Sequence, residues 1–355
     1  MDDAALDDLR LFLPPLLRAL EGLGFVARRL NPPQLARVLE VVAEPEAALR
    51  EMRPKLDAWP DDLVVLRGQL QMVADEALAA YDELGAAEDM RGIYRALRHA
   101  PRAQEALYPL AEGLPPASRY FLTPARRDDA ALLMRFIEAP EREDVGVFHV
   151  DNEPGSRGGF SLYVPETYDQ ARAHPIVFAL HGGAGNGRGF LWSWLRDARA
   201  AGAILVAPTA VGDTWALQGE DADSPNLERI LADVSARWNV DPARRLLTGM
   251  SDGGTFSYVS GLVEGSPFTH LAPACAAFHP MLVAFADQTR LRGLPIHVTH
   301  GVQDWMFAVD MAREAQAALA AAGARVTYRE IEDLSHCYPT EVNPDILAWM
   351  DETAG

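Results

Sequence analysis

From residue 145 onward, short apolar runs alternate with helical segments, and this alternation limits the possible folds more than any other feature. Three of the runs are nearly unbroken: "PIVFALHGG" (175–183), "GAILVAPTA" (202–210) and "RRLLTGMSDGG" (244–254). Runs without polar alternation are typical of strands that are buried on both faces. Helical crossovers between such strands favour a parallel arrangement. We therefore predict an α/β fold whose mostly parallel sheet has about eight strands, with helices on both faces.

The remaining elements follow from the same periodicities of the sequence. Further strands are expected at 145–150, 159–166, 270–280, 294–301 and 325–332, with helices at 188–201, 225–238, 310–322 and 343–352. Most of the spacings leave room for a helical crossover, and the strands at 145–150 and 159–166 are expected to form a leading pair.

Residues 1 to about 130 have a different pattern, in which apolar residues recur at helical spacings of three and four. We predict an all-helical N-terminal domain over 1–135 and an α/β domain over 136–355. Many prolines interrupt the first domain, so its helices should be short to moderate. His99 is expected at its surface. The domain precedes the whole sheet, which favours a role in oligomerisation or docking over a role as a cap on the carboxyl edge of the sheet.

Composition restricts the partners and the location of the protein. The net charge of −19 argues against nucleic acid and anionic membranes, because both need a basic face. The two cysteines, Cys275 and Cys337, lack zinc or redox spacing, so free thiols are favoured over a disulfide and no metal site is expected. The acidic N-terminus does not resemble a signal peptide, and no apolar run approaches a membrane span. A cytoplasmic location is therefore expected.

The stretch Gly249-Met250-Ser251-Asp252-Gly253 matches G-x-S-x-G, a motif whose meaning depends on its context. Here a predicted buried strand precedes the serine and a predicted helix follows it, which is the setting of a nucleophile elbow. The glycines allow a tight turn and close backbone packing. Ser251 is thus the candidate nucleophile.

A serine nucleophile needs a base, and the base needs an orienting acid. Asp304 follows the strand 294–301, and His336 follows the last predicted strand, so both belong at the edge of the sheet where Ser251 lies. We predict Asp304 as the acid and His336 as the base. The rival residues are Asp287, Asp310, Asp333, His270, His279, His297 and His300.

Backbone amides should stabilise the negative oxygen that forms during acyl transfer. The amide of Asp252 at the start of a helix is one predicted donor. The second is the amide of Gly183 in the loop after 175–180, with Gly182 or Ala184 as alternatives. His181 is expected to fix that loop. The Asp252 carboxylate either suits the helix N-terminus electrostatically, which we favour, or lines the site and disfavours anionic substrates.

Aromatic residues on the predicted loops are candidates for an acyl pocket. Trp215, Trp305 and Tyr338 are the predicted substrate contacts, and Trp192 and Phe307 belong to the same group. Cys337 lies beside the predicted base and is expected to have a packing role.

Taken in order, "HGG", "GMSDGG", "HGVQD" and "LSHCYP" resemble the motifs of the α/β-hydrolase superfamily. The pattern is similar to the carboxylesterase/phospholipase-like and the polyhydroxybutyrate depolymerase-like or feruloyl-esterase-like serine esterases. The resemblance spans roughly residues 140–355. It implies a Ser251–Asp304–His336 triad, hydrolysis of a small-molecule carboxylic ester and no cofactor. Aspartate at position 252 and the helical N-terminal domain depart from the pattern.

Two alternatives stay open at this point. The same triad could serve a thioesterase or a peptidase, because all three share acyl chemistry. A non-catalytic binding module on a hydrolase fold is less favoured, since the candidate triad is intact.

Overall fold

A computed structural model describes residues 3–354, and these divide into two compact units between Asp128 and Asp129. We call them the helical unit and the sheet unit. The predicted domain boundary between 135 and 136 lies inside a helix of the sheet unit, Ala130–Glu138. Among the described residues, none of the helices combines the length and the apolar character that a membrane span needs.

The helical unit consists of seven α-helices and short 3₁₀ turns in its described residues. The helices are α1 (Asp3–Arg28), α2 (Leu35–Val42), α3 (Ala47–Met52), α4 (Val64–Ala86), α5 (Met90–Leu97), α6 (His99–Leu107) and α7 (Pro115–Tyr120). At the start of α6, His99 lies between two carboxylates of α4, with Nδ1 2.6 Å from Glu76 and Nε2 3.2 Å from Glu83. It is thus largely buried, and not the surface residue that we predicted.

Helix α1 runs for 26 residues straight through Pro14 and Pro15. A proline inside a helix removes one backbone donor and disfavours the helix. Burial of the apolar face of α1, which includes Phe12, Leu16 and Leu20, opposes that effect. The prediction of short to moderate helices is therefore wrong for α1 and also for α4, which has 23 residues.

The sheet unit is built on eight strands in its described residues. They are β1 (Gly146–Val150), β2 (Phe160–Val164), β3 (His174–Leu180), β4 (Ile204–Pro208), β5 (Val240–Met250), β6 (His270–Ala274), β7 (Pro295–Gly301) and β8 (Arg325–Ile331). Their spatial order is β1-β2-β4-β3-β5-β6-β7-β8. Strand β2 is antiparallel to both of its neighbours, and all other pairs are parallel. The predicted eight-stranded, mostly parallel sheet is confirmed.

Helices cover both faces of this sheet. They are α8 (Ala130–Glu138), α9 (Gly187–Phe190), α10 (Leu195–Ala201), α11 (Asp223–Arg237), α12 (Asp252–Gly261), α13 (Met281–Phe285), α14 (Gln288–Leu291), α15 (Val309–Ala321) and α16 (Asn343–Thr353). Alternate residues of β3, such as Ile176 and Phe178, join one core cluster with side chains of α11, α12 and α15. Val177 and Ala179 point to the opposite face and are equally buried.

The order of the strands reverses direction between β3 and β5, which makes a topological switch point. After β3 the chain moves outward to β4, and it then returns across β3 to form β5 on the other side. Ligand sites of open α/β sheets lie at such switch points. Leu180 at the end of β3 pairs with Gly249 near the end of β5, so the loops that follow these two strands begin side by side.

Candidate active site

Ser251 occupies a sharp turn between β5 and α12. Its backbone has φ 55° and ψ −119°, a conformation that side-chain-bearing residues rarely adopt. The turn requires small neighbours, because a Cβ atom on Gly249 would lie 2.5 Å from the carbonyl carbon of Gly253. The amide of Ser251 donates to the carbonyl of Ala274 in β6, at 3.0 Å. The side chain is thereby held at the edge of the sheet in the strand–turn–helix setting of a nucleophile elbow.

The structure brings together the three residues that we predicted to act as nucleophile, base and acid. Nε2 of His336 lies 3.0 Å from Oγ of Ser251, and its Nδ1 lies 2.8 Å from Oδ2 of Asp304. Asp304 follows β7 and His336 follows β8. The amide of Gln303 donates to the carbonyl of Leu334 at 3.0 Å, which joins these two loops. The imidazole can therefore accept a proton from the serine while the carboxylate orients it.

Asp304 is held in its charged form by several donors. Oδ1 accepts from the amides of Met306 at 2.9 Å and Phe307 at 2.8 Å. Burial alone would raise the pKa of this carboxyl. The hydrogen bonds from His336, Phe307 and Met306 outweigh that effect and hold the pKa below its usual value. Nε2 of His300 donates to the carbonyl of Phe307 at 2.9 Å and lies 3.4 Å from Asp304, so His300 helps to fix the acid loop.

The rival residues have other contacts. Asp287 accepts from the amide of Arg290 as the N-cap of α14, and Asp310 pairs with Arg313 in the first turn of α15. His270 contacts Thr269 and Thr353, His279 accepts from the amide of Met281, and His297 contacts Thr299 within β7. Asp333 is exposed in the loop after β8.

The glycine-rich loop after β3 begins with His181, which is 1% exposed. Nδ1 of its ring lies 2.6 Å from the carbonyl of Gly182, and Nε2 accepts from the amide of Ala210 at 3.1 Å. Burial lowers the pKa of His181 to about 4, so the ring is neutral at physiological pH. Both ring nitrogens thus contact backbone groups, as expected of a residue that fixes the loop.

The two predicted oxyanion donors lie on neighbouring segments. Asp252 is the first residue of α12, where backbone amides lack partners inside the helix. Its carboxylate reaches the glycine-rich loop, because a Cβ atom on Gly183 would lie 2.8 Å from Oδ2 of Asp252. Oδ2 also accepts from the hydroxyl of Thr214 at 2.6 Å. Sequence reasoning missed Thr214, which no motif marks.

The three predicted substrate contacts lie in different surroundings. Trp305 is 45% exposed, and its ring centre lies 6.2 Å from that of His336. Tyr338 is half-buried, and its hydroxyl donates to Asn343 at 2.9 Å. The prediction that Trp215 contacts the substrate is wrong. Its side chain is 2% exposed and stacks on Phe256 in the core, with ring centres 5.4 Å apart. Burial removes the Trp215 ring from the surface that a substrate would meet.

Both cysteines are free thiols, as predicted, and both are buried. The Cys275 sulfur lies 3.6 Å from the carbonyl oxygen of Cys337 and 3.8 Å from that of Ser335, on either side of His336 in sequence. Burial raises the pKa of Cys275 well above its usual value, so this thiol stays protonated. In the part of the chain that the structure describes, no cluster of three or more His, Cys, Asp or Glu side chains could hold a metal ion.

No protein-family model matches the chain, but curated relatives do. The chain is 32% identical over 116 residues to a probable feruloyl esterase C of Aspergillus terreus. The matched segment covers 31% of this chain and 43% of that relative. The chain is 34% identical over 118 residues to feruloyl esterase C of Emericella nidulans, with the same coverage of 31% and 43%. The chain thus spans less than half the length of these relatives.

Solved structures resemble the chain at low sequence identity. A bifunctional GH43-CE protein of Bacteroides eggerthii matches with a TM-score of 0.50 at 13% identity, over 59% of this chain and 38% of that one. A thermostable esterase matches with a TM-score of 0.47 at 20% identity, over 58% and 62%. Such a likeness concerns the fold alone. The sheet unit has the α/β-hydrolase fold, and part of the chain is similar in sequence to proteins named feruloyl esterase C.

Proposed function

We propose that the protein is a carboxylic-ester hydrolase that works through an acyl-enzyme on Ser251. The observation that carries this proposal is the continuous chain of contacts from Oγ of Ser251 through His336 to Asp304, with distances of 3.0 and 2.8 Å. The similarity to feruloyl esterases supports it. The elbow backbone supports it as well, since strained serines at the end of a buried strand are typical of this chemistry.

In the proposed reaction, Ser251 Oγ attacks the carbonyl carbon of the ester while Nε2 of His336 takes its proton. Asp304 accepts from Nδ1 and stabilises the imidazolium that forms. The amides of Asp252 and Gly183 donate to the carbonyl oxygen as it gains negative charge. His336 then protonates the alkoxy oxygen of the ester, and the bond between that oxygen and the acyl carbon breaks. The alcohol leaves, and the acyl group stays on Ser251.

The second half of the proposed reaction removes the acyl group. A water molecule donates a proton to Nε2 of His336 and attacks the acyl carbon through the same oxyanion geometry. When this intermediate collapses, the bond to Ser251 Oγ breaks and His336 returns the proton to the serine. The carboxylic acid leaves, and the site is restored. The alcohol leaves with the proton of Ser251, and the water molecule supplies the proton that restores the serine, so these residues complete the cycle without a cofactor.

Feruloyl esters are the first substrates to test, because the curated relatives bear that name. Aromatic side chains beside the proposed base support an aromatic acyl group. The ring of Phe307 is nearly perpendicular to that of His336 at 5.2 Å, and exposed Trp305 lies on the same loop. Edge-to-face contacts of this kind favour aromatic partners.

The test is hydrolysis of p-nitrophenyl acetate and methyl ferulate by the purified full chain, compared with its Ser251→Ala and His336→Ala variants. We expect turnover only in the wild-type chain and covalent labelling of Ser251 by a fluorophosphonate. Ser156→Ala, which changes a partly exposed serine elsewhere in the sheet unit, is the control and should keep full activity. Full turnover by Ser251→Ala would falsify the proposal.

Matched thioester and anilide substrates separate the proposed esterase from its alternatives. Faster turnover of the thioester or the anilide would reassign the protein to the thioesterases or peptidases. A chain that reacts with neither substrate nor probe would indicate a binding module.

We further propose that the helical unit mediates self-association. Sedimentation of the full chain at several concentrations tests this, since a monomer at every concentration would contradict it. The cytoplasmic location inferred from the sequence stays a prediction.

A further inference from the structure

The loop after β4 contacts both segments that carry the proposed oxyanion donors. We call residues 210–216 of this loop the brace. The hydroxyl of Thr214 donates to Oδ2 of Asp252 at 2.6 Å, and this hydrogen bond connects the brace to the start of α12. The indole Nε1 of Trp215 donates to the carbonyl of His181 at 2.7 Å, and this hydrogen bond connects the brace to the glycine-rich loop. Two adjacent residues of one loop thus join segments that are about 70 positions apart in sequence.

The brace is itself firmly held. The buried carboxylate of Asp223, at the start of α11, accepts from the amides of Val211 at 2.7 Å and Ala216 at 2.8 Å, at the two ends of the loop. Arg157 donates through Nε to the carbonyl of Gly212 at 2.6 Å and through Nη1 to that of Gly185 at 2.9 Å. A loop that is held at both ends can hold in place the groups that it contacts.

The Asp252 carboxylate is the link between the brace and the proposed donors. Its Oδ2 lies close against Gly183, and the backbone of the same residue supplies the proposed donor at the start of α12. A carboxylate without a fixed partner could rotate about its side-chain bonds, and its negative charge would then oppose the oxyanion. The hydrogen bond from Thr214 fixes Oδ2 in one place.

Resting on the proposed function, we propose that Thr214, acting through Asp252, is a positioning residue for the oxyanion site. It sets the spacing between the amide of Asp252 and that of Gly183 and restrains the nearby negative charge. The structural basis is the short Thr214–Asp252 hydrogen bond beside Gly183, together with the parallel tie from Trp215 to His181. When the donors are misplaced, stabilisation of the transition state is weakened more than binding of the substrate. The effect should therefore appear in kcat, with little change in KM.

The test compares Thr214→Val, which keeps the shape of the side chain but removes its hydroxyl, with Thr214→Ser, which restores the hydroxyl. With p-nitrophenyl acetate we expect Thr214→Val to lower kcat by about tenfold, below the 10²–10³-fold loss of a whole donor. KM should stay within about twofold of the wild-type value, and Thr214→Ser should recover most of kcat. Thr327→Val, the same change at an exposed position of β8, is the control and should behave as wild type.

A second measurement distinguishes positioning from simple loosening of the fold. A trifluoromethyl ketone forms a tetrahedral adduct with an active serine, and its affinity should fall by the same factor as kcat. The double variant Thr214→Val/Asp252→Ala should lose no more than Asp252→Ala alone, because the two side chains act as one unit. Thermal unfolding of Thr214→Val within a few degrees of wild type would exclude global destabilisation as the cause.

The possible failures are distinguishable. A Thr214→Val variant that matches an active wild-type chain in kcat overturns the brace proposal alone, as does a Thr214→Ser variant that is no better than Thr214→Val. A wild-type chain that neither hydrolyses esters nor reacts with a fluorophosphonate overturns the proposed function and the brace with it.

Discussion

Gly253 packs so tightly against His181 that a Cβ atom on the glycine would lie 2.5 Å from the histidine carbonyl oxygen. The carbonyl oxygen of Leu180 lies at the same distance from that point. The first turn of α12 and the end of β3 therefore meet backbone to backbone, and no side chain fits between them. This contact brings the candidate nucleophile beside the glycine-rich loop.

Gly253→Ala should therefore destabilise the fold and reduce activity. Overpacking of this kind costs about 1–3 kcal/mol, and the displaced loop carries a proposed oxyanion donor. Denaturant unfolding measures the first effect and ester hydrolysis the second. Gly68→Ala in α4 is the matched control, since a Cβ atom there meets nothing within 4 Å. We expect that change to stabilise its helix by about 0.5–1 kcal/mol. Equal stability of the two variants would contradict the packing described here.

Asp304→Asn should lower kcat by about 10²–10⁴-fold while the protein stays folded. A carboxamide can turn its NH₂ group toward Nδ1 of His336 and so favour the wrong tautomer of the ring. Steady-state kinetics on p-nitrophenyl acetate measure the loss. Asp310→Asn changes an exposed carboxylate in α15 and should stay within about twofold of wild type. Similar kcat values for the two variants would remove Asp304 from the proposed mechanism.

The contribution of Asp197 to the stability of the protein should fall as pH rises. Burial raises the pKa of this carboxyl to about 7, although Nδ2 of Asn343 donates to it at 2.9 Å. In the unfolded chain the group ionises near 3.8, so between about pH 4 and pH 7 only the folded state holds the proton. The contribution of Asp197 to the unfolding free energy should therefore decrease by up to about 1.4 kcal/mol per pH unit in that window and level off above it.

The matched variant for this effect is Asp197→Asn, which cannot ionise. Its advantage in unfolding free energy over the wild-type chain should grow from pH 4 to pH 7 and then stay constant. Denaturant unfolding at several pH values measures the difference. A difference that is constant throughout that range would show that Asp197 is already ionised in the folded state.

Neither thiol should react in the folded protein. Cys275 is fully buried with a raised pKa, and Cys337 is 6% exposed. The thiolate is the reactive form of cysteine, and burial both disfavours the thiolate and keeps reagents away from the sulfur. We expect no rapid reaction with a disulfide reagent at pH 8, followed by modification of two thiols in denaturant. One fast equivalent in the folded protein would place a cysteine at the surface.

The sheet could be predicted from the sequence because its strands are buried and its crossovers are regular. Runs such as 175–183 are too apolar to lie at a surface, and they end where glycines allow a turn. Ser251, Asp304 and His336 were identifiable because the carboxyl ends of parallel strands meet at one edge. The contacts among these three side chains follow from the topology of the sheet, and the strand pattern of the sequence predicts that topology.

Other features depend on contacts that no local pattern encodes. Thr214 and Asp252 are 38 positions apart, and both lie outside strands, so nothing in either segment marks their hydrogen bond. Trp215 was predicted at the pocket because its loop is near the site, but side-chain direction within a loop is set by packing. In α1, tertiary burial overrode the local preference of Pro14 and Pro15.

The left-handed backbone of Ser251 has a further consequence for how this protein can change. A glycine at position 251 would relieve strain that typically amounts to about 1–3 kcal/mol, so the chain without its candidate nucleophile should be the more stable one. Selection for stability alone would favour that glycine, and keeping the serine requires a benefit that thermal stability does not measure. Stability screens of this protein should therefore enrich variants that fold better and no longer react.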